Sequence, residues 1–480
     1  MTLFHRQSAS RRGETRSRGG EEEAADEYVA ALRAKKPCDE TFVSKFTIIS
    51  RHRYYNDTLL PMNFTDYHAH VYGTGYKVLY PKLDGLMSIA AIQEQVKSQK
   101  LKVKSQNWVL LRGWDQNLWE EKIFPSRKNI DEVVSDIPVV LIRIDGHALW
   151  CNSKAFELAG ITRETQNPLG GEILHDANGE PLGILLDEAM KLVYDAMPQD
   201  SEETIINILR AGLHEFAKHH VGVHDMGIPA EWWEPYKKLY AAEGDSLIKA
   251  YVFLDMTKPS GKALFLEKIR GEVFNDSPHP NLKLVGIKLY LDGALGSRGA
   301  NLLEDYSDDP GNKGLRLMDD EEALHLMSPA YERGLQIATH AIGDAANSRA
   351  LDLYERLRIG HISPMSHIAQ LRIEHSQIVR EEDIKRYTNL DVWAVIQPQF
   401  YQSDKAWAVE RLGSERMKNA YRWKSFLDAG VKVAASSDSP IEDADPQEGI
   451  RCFTRRDDAE AISAEAAASL YSISAQELCR

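Results

Sequence analysis

The stretch Thr65-Asp66-Tyr67-His68-Ala69-His70 sets two histidines two residues apart, directly after the apolar run 59–64. On a strand, residues i and i+2 face the same side. His68 and His70 can therefore aim two imidazoles at one point, which is what a metal ion requires. Alone, the pair fits a partly buried strand end better than a metal site. Other residues of suitable type lie where later apolar runs end. Residues 221–223 lead to His224 and Asp225, 285–290 carry Lys288 and precede Asp292, 335–339 lead to His340, 371–374 to His375, and 431–437 to Asp438. Each taken singly fits a strand-end polar residue or a helix cap; together and in order they describe a ligand set. Two imidazoles and a carboxylate can hold a hydrolytic Zn²⁺ and leave a position for water, whose pKa the metal lowers toward neutrality. Asp438 can take that water's proton and pass it to a leaving group. Lys288 cannot bind a metal as an ammonium. Buried, with a depressed pKa, it can react with CO2 to give a carbamate that bridges two metals as a carboxylate.

The elements that must position these residues show a clear rhythm from Ser201 onward. Ser201 reads as an N-cap with acids at 202 and 203, followed by Ile205, Ile208, Leu209, Leu213 and Phe216 at helical spacing. Strand 221–225 follows. Helix 319–333 then precedes strand 335–340, helix 344–358 strand 371–375, helix 380–389 strand 391–397, and helix 415–429 strand 431–437. Alternating helices and buried-type strands predict a parallel sheet, and this number of units favours a closed TIM (β/α)8 barrel over an open doubly wound sheet. Barrel enzymes keep their chemistry at the C-terminal ends of the strands, where the residues above fall. No Gly-rich dinucleotide or phosphate loop is present. The region 77–200 reads as a strand-rich insertion able to wall a pocket; at its strand ends Asp145 and His147 fit a substrate contact and a turn-stabilising role equally, and Trp114 and Asp115 fit a substrate-pocket lining and core or lid packing equally. Arg298 and Gln397 read as substrate contacts from the barrel, His224 and Asp225 as support for the ligands, and His219 and His220 as solvated helix-end residues.

Composition narrows the partners. The 480 residues are 43% hydrophobic and 27% charged, with a net charge of −14. That charge argues against non-specific binding to nucleic acid or anionic membranes, and no apolar run reaches the length of a membrane span. A small molecule is the expected partner, and the sequence leaves a homodimer open. The four cysteines are scattered and form no CxxC pair, which points to a reducing, cytoplasmic setting. The first eighteen residues have the Arg- and Ser-rich bias of a transit peptide. Glu21-Glu22-Glu23 breaks that bias, and a disordered tail is the expectation.

The motifs resemble the amidohydrolase superfamily, in particular amidohydrolase family 3, the branch of YtcJ-like proteins and N-substituted formamide deformylases. The resemblance is carried by TDYHAHVYG (65–73), GWDQN (113–117), DGHALWCNSKAFELAGI (145–161), GGEI (170–173), GVHDMG (222–227), GIKLYLDGALGSRGA (286–300), THAIGD (339–344), RIEHS (372–376), VIQPQF (395–400) and SSDSP (436–440). It implies a metal-dependent hydrolase on a distorted TIM barrel, acting on carbon–nitrogen bonds other than peptide bonds, with one or two divalent ions, zinc foremost. His68, His70, His340, His375 and Asp438 become ligands, and Lys288 falls where some members carry a carbamylated, metal-bridging lysine. Asp292 lies in a matching motif and is a further substrate contact. Hydrolysis of an ester or cyclic amide, ring deamination, and a non-catalytic binding barrel are the alternatives. The expected division is a mostly disordered segment over 1–60 with a vestigial strand at 41–50, the barrel over 61–456, and a helical tail over 457–480. The β-sandwich that accompanies the barrel in such proteins is expected to be reduced or missing.

Overall fold

In the computed structural model eight parallel strands lie side by side in the order β15-β14-β13-β12-β11-β10-β9-β3. They are β3 (Thr65–Ala69), β9 (Gly222–Ile228), β10 (Lys249–Asp255), β11 (Leu282–Tyr290), β12 (Gln336–Ala341), β13 (Leu371–His375), β14 (Trp393–Ile396) and β15 (Lys432–Ala435). The structure describes residues 52–55, 58–61, 64–80, 82–100, 108–120, 122–198, 200–271, 273–360, 369–472 and 476–479. The expected strand at 41–50 and the helical patch near Tyr28 lie outside them. Residues 1–62 cluster separately from 63–480. In the first unit β1 (His52–Tyr55) pairs antiparallel with β2 (Thr58–Pro61).

The second unit is a distorted TIM barrel, and the distortion sits at the seam between β3 and β15. No ladder joins these edges. Instead the Asp438 N–H donates to the His68 carbonyl and the His70 N–H to the Ser439 carbonyl, each at 2.8 Å. The Ser437 hydroxyl donates to Asp66 at 2.6 Å. Leu470 and Tyr471 wedge in beside them, accepting from the Ala435 and Thr65 amides at 3.0 and 2.8 Å. Bonds that would otherwise be lost at an open edge are thus made by the segments that carry the functional residues.

Helices fill the connections as the alternation predicts. Ser201 caps helix Glu202–Phe216 through the Thr204 amide, and Asp319 caps helix Asp320–Glu332 through the Glu322 amide. Helix Glu202–Phe216 packs on helix Val71–Leu79 with the backbones touching. A Cβ on Gly212 would lie 2.1 Å from the Val71 oxygen, and one on Gly75 1.9 Å from the Ile208 oxygen. This contact brings the two ends of the insertion together. Between them stands a five-stranded mixed sheet, order β4-β5-β6-β8-β7, built of β4 (Val109–Trp114), β5 (Val139–Arg143), β6 (Ala148–Cys151), β7 (Gly171–His175) and β8 (Pro181–Asp187). Trp114, Trp119 and Trp150 pack one of its faces.

Three expectations are corrected. Helix 415–429 is two helices, Ala408–Met417 and Trp423–Asp428. The chain breaks at Tyr421, which adopts φ +56° while its N–H donates to the Gln377 carbonyl at 2.7 Å. The segment around 462–478 holds helix Ala464–Ser469 and a 3₁₀ turn at Gln476–Cys479; Leu478 of that turn packs into the barrel against Tyr67, Trp393 and Val395. Among the described residues no helix is long and apolar enough to cross a membrane.

The third correction concerns His220, which is 3% exposed and hydrogen-bonded through Nε2 to the Ala444 carbonyl at 2.6 Å. Burial lowers its pKa from 6.5 to about 4. The unfolded chain takes up this proton near pH 6.5 and the folded protein only near pH 4, so acidification through that window favours unfolding. Stability held above the upper limit should fall by about 2–3 kcal/mol on reaching about pH 4.5 from this group alone. Urea titrations of the wild type and His220→Gln at neutral and acidic pH should differ by that amount; parallel pH dependences would refute it.

Candidate metal centre

Strand register assembles the site. Lys288 on β11 pairs with Ala338, and Tyr290 with His340; one strand on, Ala341 pairs with His375. Three neighbouring strands thus present Lys288, His340 and His375 at adjacent ends. The seam supplies the rest, because Asp438 and His68 share a backbone hydrogen bond. Asp438 Oδ1 lies 3.1 Å from His70 Nε2 and 3.4 Å from His68 Nε2. Lys288 Nζ is 3.4 Å from His68 Nε2. The His375 ring is 4.9 Å from that of His68 and 4.4 Å from that of His340. His68, His375 and Asp438 meet at one point and His70, Lys288 and His340 each stand beside one of them, although β3 ends at Ala69 and His70 serves as the N-terminal cap of the following helix. His375 and Asp438 both hold positive φ, +75° and +57°, a conformation that costs a non-glycine residue about 1–3 kcal/mol and gathers at functional sites.

Hydrogen bonds fix the rings. Glu374 Oε2 lies 2.5 Å from His68 Nδ1. Glu374 is wholly buried and also accepts from Arg372 Nε at 2.5 Å and Nη2 at 3.1 Å. Burial alone would raise the Glu374 pKa, but the Arg372 guanidinium and His68 hold it well below the ordinary carboxylate range. An ionised carboxylate can only accept, so His68 Nδ1 carries the proton and Nε2 offers its lone pair to the centre. Gln397 does the same for His375, its Oε1 lying 2.8 Å from Nδ1 and its Nε2 donating to the Ser436 hydroxyl. Glu374 and Arg372 were not read as functional in the sequence. The signal was an Arg and a Glu two apart on one face of a buried strand.

The donor set fits a metal ion. His68, His375 and Asp438 bring ligand atoms within 4.8 Å of one another. His340 Nε2 and Asp438 Oδ1 are buried without a hydrogen bond. Neighbouring ligands of a tetrahedral ion with bonds of about 2.0–2.1 Å lie about 3.3–3.4 Å apart, and the separations of Asp438 Oδ1 from the two imidazole nitrogens bracket this. Burial lowers His375 to about 3 and puts His340 well below 6.5, so both imidazoles are neutral and able to ligate. Burial would raise the Asp438 pKa, and His68 and His70, when protonated, reverse this and lower it. Burial lowers Lys288 to about 8, leaving a useful fraction of neutral amine near neutral pH.

The remaining predicted residues take separate places. His147 reaches the centre, its ring 5.3 Å from that of His340, with Nδ1 held at 2.6 Å by Asp187. Burial works against its charged form, but Asp187 outweighs this and raises the His147 pKa. Asp292 stands behind His340, 3.5 Å from Nε2, and accepts from the Asn301, Ile342 and Gly343 amides. Trp114 is buried in the insertion, donating to the Leu141 carbonyl. Asp115 and Asp145 both grip Arg143. Arg298 pairs with Asp308 at 2.9 Å. His224 is buried, 3.0 Å from Arg372 Nη1, and Asp225 accepts from the Val71 amide and the Tyr236 hydroxyl.

A cleft of about 270 Å³ opens between the insertion and the barrel rim, lined by His147, Asp187, Tyr194, Asp255, Lys258 and Tyr290 among others. The rings of His147 and Tyr290 lie 5.3 and 5.6 Å from that of His340, and the insertion supplies one wall of the cleft.

Comparison with known proteins agrees with this geometry. A family model described as the amidohydrolase family matches residues 59–480. The chain is similar to the YtcJ protein of Bacillus subtilis (strain 168), 33% identical over 410 residues that cover 84% of this chain and 74% of the relative. It is similar to the N-substituted formamide deformylase of Arthrobacter pascens, 25% identical over 406 residues covering 81% and 73%. The crystal structure of an uncharacterized metal-dependent hydrolase from Pyrococcus horikoshii superposes with a TM-score of 0.67 at 26% identity, covering 87% of this chain and 80% of that one.

Proposed function

Because the chain belongs to the amidohydrolase family, we propose that it is a metal-dependent hydrolase that cleaves the carbon–nitrogen bond of a small-molecule amide in the cytoplasm. The observation that carries this reading is the meeting of His68, His375 and Asp438 within 4.8 Å, with His70, Lys288 and His340 beside them and two polar atoms of the group buried and unbonded. One or two divalent ions, zinc in this reading, would be held by these residues and would supply polarisation of a carbonyl and acidification of a water. Lys288 would join as a carbamate: its neutral Nζ would form a bond to the carbon of CO2 and release a proton, giving a carboxylate able to help hold the metal.

The protein's own groups then handle the proton. Asp438 takes it from the attacking water as the C–O bond forms, and delivers it to the nitrogen as the C–N bond breaks. Amide and water yield acid and amine, with no redox change. Glu374 and Gln397 keep the lone pairs of His68 and His375 aimed at the centre. The N-substituted formamide deformylase similarity supports the choice of an amide.

Metal analysis of the purified full chain should find one or two zinc-like ions, and intact-mass measurement under CO2 should find one added CO2 that Lys288→Met abolishes. A panel of N-formyl, N-acyl and cyclic amides should reveal turnover that a chelator removes and zinc restores. A folded protein that binds no metal would overturn the reading.

A further inference from the structure

Two phenols line the cleft, Tyr194 and Tyr290, and Tyr290 is the one that stands beside His340 and Lys288. Tyr290 ends β11 two residues after Lys288, and so lies on the same strand face. It lines the cleft together with His147 and Asp255. Its ring centroid is 5.6 Å from that of His340, and Lys288 Nζ stands 4.8 Å above its face. Gly227 makes room for the hydroxyl: at φ +72° it occupies a conformation suited to glycine, and a Cβ there would come within 2.7 Å of the Tyr290 oxygen. Among the described residues, hydrogen bonds are made by the hydroxyls of Tyr67, Tyr72, Tyr76, Tyr236, Tyr240, Tyr306, Tyr354, Tyr387, Tyr401 and Tyr421. The Tyr290 hydroxyl makes none with them. The hydroxyl stands on the cleft wall, where water partners it in the free protein and a bound molecule can take that place.

We propose that the Tyr290 O–H donates a hydrogen bond to the carbonyl oxygen of the amide bound beside the metal centre. Tyr290 is then a catalytic residue, and the inference rests on the hydrolase reading above. The position suits a carbonyl oxygen because the donor stands next to His340 and Lys288, where the reacting carbon must lie. The bond strengthens as negative charge gathers on that oxygen, which lowers the barrier more than it tightens substrate binding. No proton is transferred; Tyr290 keeps its hydrogen throughout. His147, braced by Asp187, faces the same cleft from the insertion and is free to meet another part of the substrate.

The test is Tyr290→Phe in the full, zinc-loaded chain. Removing a hydroxyl with no protein partner should leave metal content and thermal midpoint unchanged, or raise the midpoint slightly. Binding of acetohydroxamate, a carbonyl-bearing metal ligand, should weaken by at least about tenfold. On an amide that the wild type turns over, kcat should fall by about 10²–10³-fold with KM little changed. Acetohydroxamate bound equally by both proteins, or by neither, overturns the proposal, as does an unchanged kcat. A clear drop in thermal midpoint would show that the hydroxyl is structural, and would also overturn it. A folded wild type free of metal would instead fail at the hydrolase reading, and Tyr290's role would fall with it.

Discussion

Asp438→Asn should lower turnover by about 10³–10⁴-fold while the protein keeps its metal and its fold. The separation of effects follows from the local structure. Asp438 closes the barrel seam through its backbone, the N–H donating to the His68 carbonyl at 2.8 Å, and that bond survives the change. Its φ of +57° is one that asparagine adopts more readily than almost any other non-glycine residue. The amide oxygen can still sit beside His68 and His70 and ligate. What is lost is the carboxylate's ability to take a proton from water and return it to nitrogen. Metal content by emission spectroscopy and kcat on the same preparation make the comparison. A variant that loses both metal and fold would mean that Asp438 is a structural ligand first; one with full turnover would remove it as the base.

The candidate ligands were legible because each is an unusual residue at or near the end of an apolar run, and the runs come in the order a barrel needs. His340 is one residue before the end of its strand, His375 is the last residue of its own, and Asp438 lies three residues past the end of β15. The residues that brace them were harder to see. Arg372 and Glu374 had a readable sign, since charges on one face of a buried strand survive only when paired. Asp187 had none: its contact with His147 depends on β6 pairing antiparallel with β8, Ala148 opposite Leu186, and that register is not local. Gln397 was read as facing substrate, and its bond to His375 follows from where β14 ends relative to the turn after β13. Tyr290 needed Gly227, a residue on a strand two removed in the sheet.

The barrel itself was legible because its strands are buried on both faces and its helices are amphipathic, so each element announces its own type. The insertion was legible only as strand-rich. Its order, with β8 between β6 and β7, is a tertiary choice. The break near Tyr421 was invisible for the same reason. Helical spacing runs through 415–429, but Tyr421 gives its N–H to Gln377 and its hydroxyl to Asp404 at 2.7 Å. Those distant partners outweigh a local propensity worth at most a few tenths of a kcal/mol per residue.

Glu374→Ala should destabilise the protein by about 3–5 kcal/mol, because it strands the wholly buried Arg372 guanidinium without its counter-ion. Arg372 would retain the Tyr67 carbonyl, His224 and the face of Phe253, none of which carries a compensating charge. The same change frees His68 Nδ1, and metal affinity should drop by about 10–100-fold. Glutamine is no remedy. Glu374 accepts at both oxygens, from Arg372 and from His68, and an amide would turn a donor toward one of them. The two effects can be separated by Arg372→Met with Glu374→Leu. Replacing a buried ion pair by apolar residues of similar size is often neutral for stability, so the double variant should recover most of the urea midpoint. It still leaves His68 without an acceptor, so weak metal binding should persist in a competitive chelator titration. If the double variant bound metal like the wild type, Glu374 would serve only to neutralise Arg372, and the orientation of His68 would have to come from packing against its neighbours in the barrel.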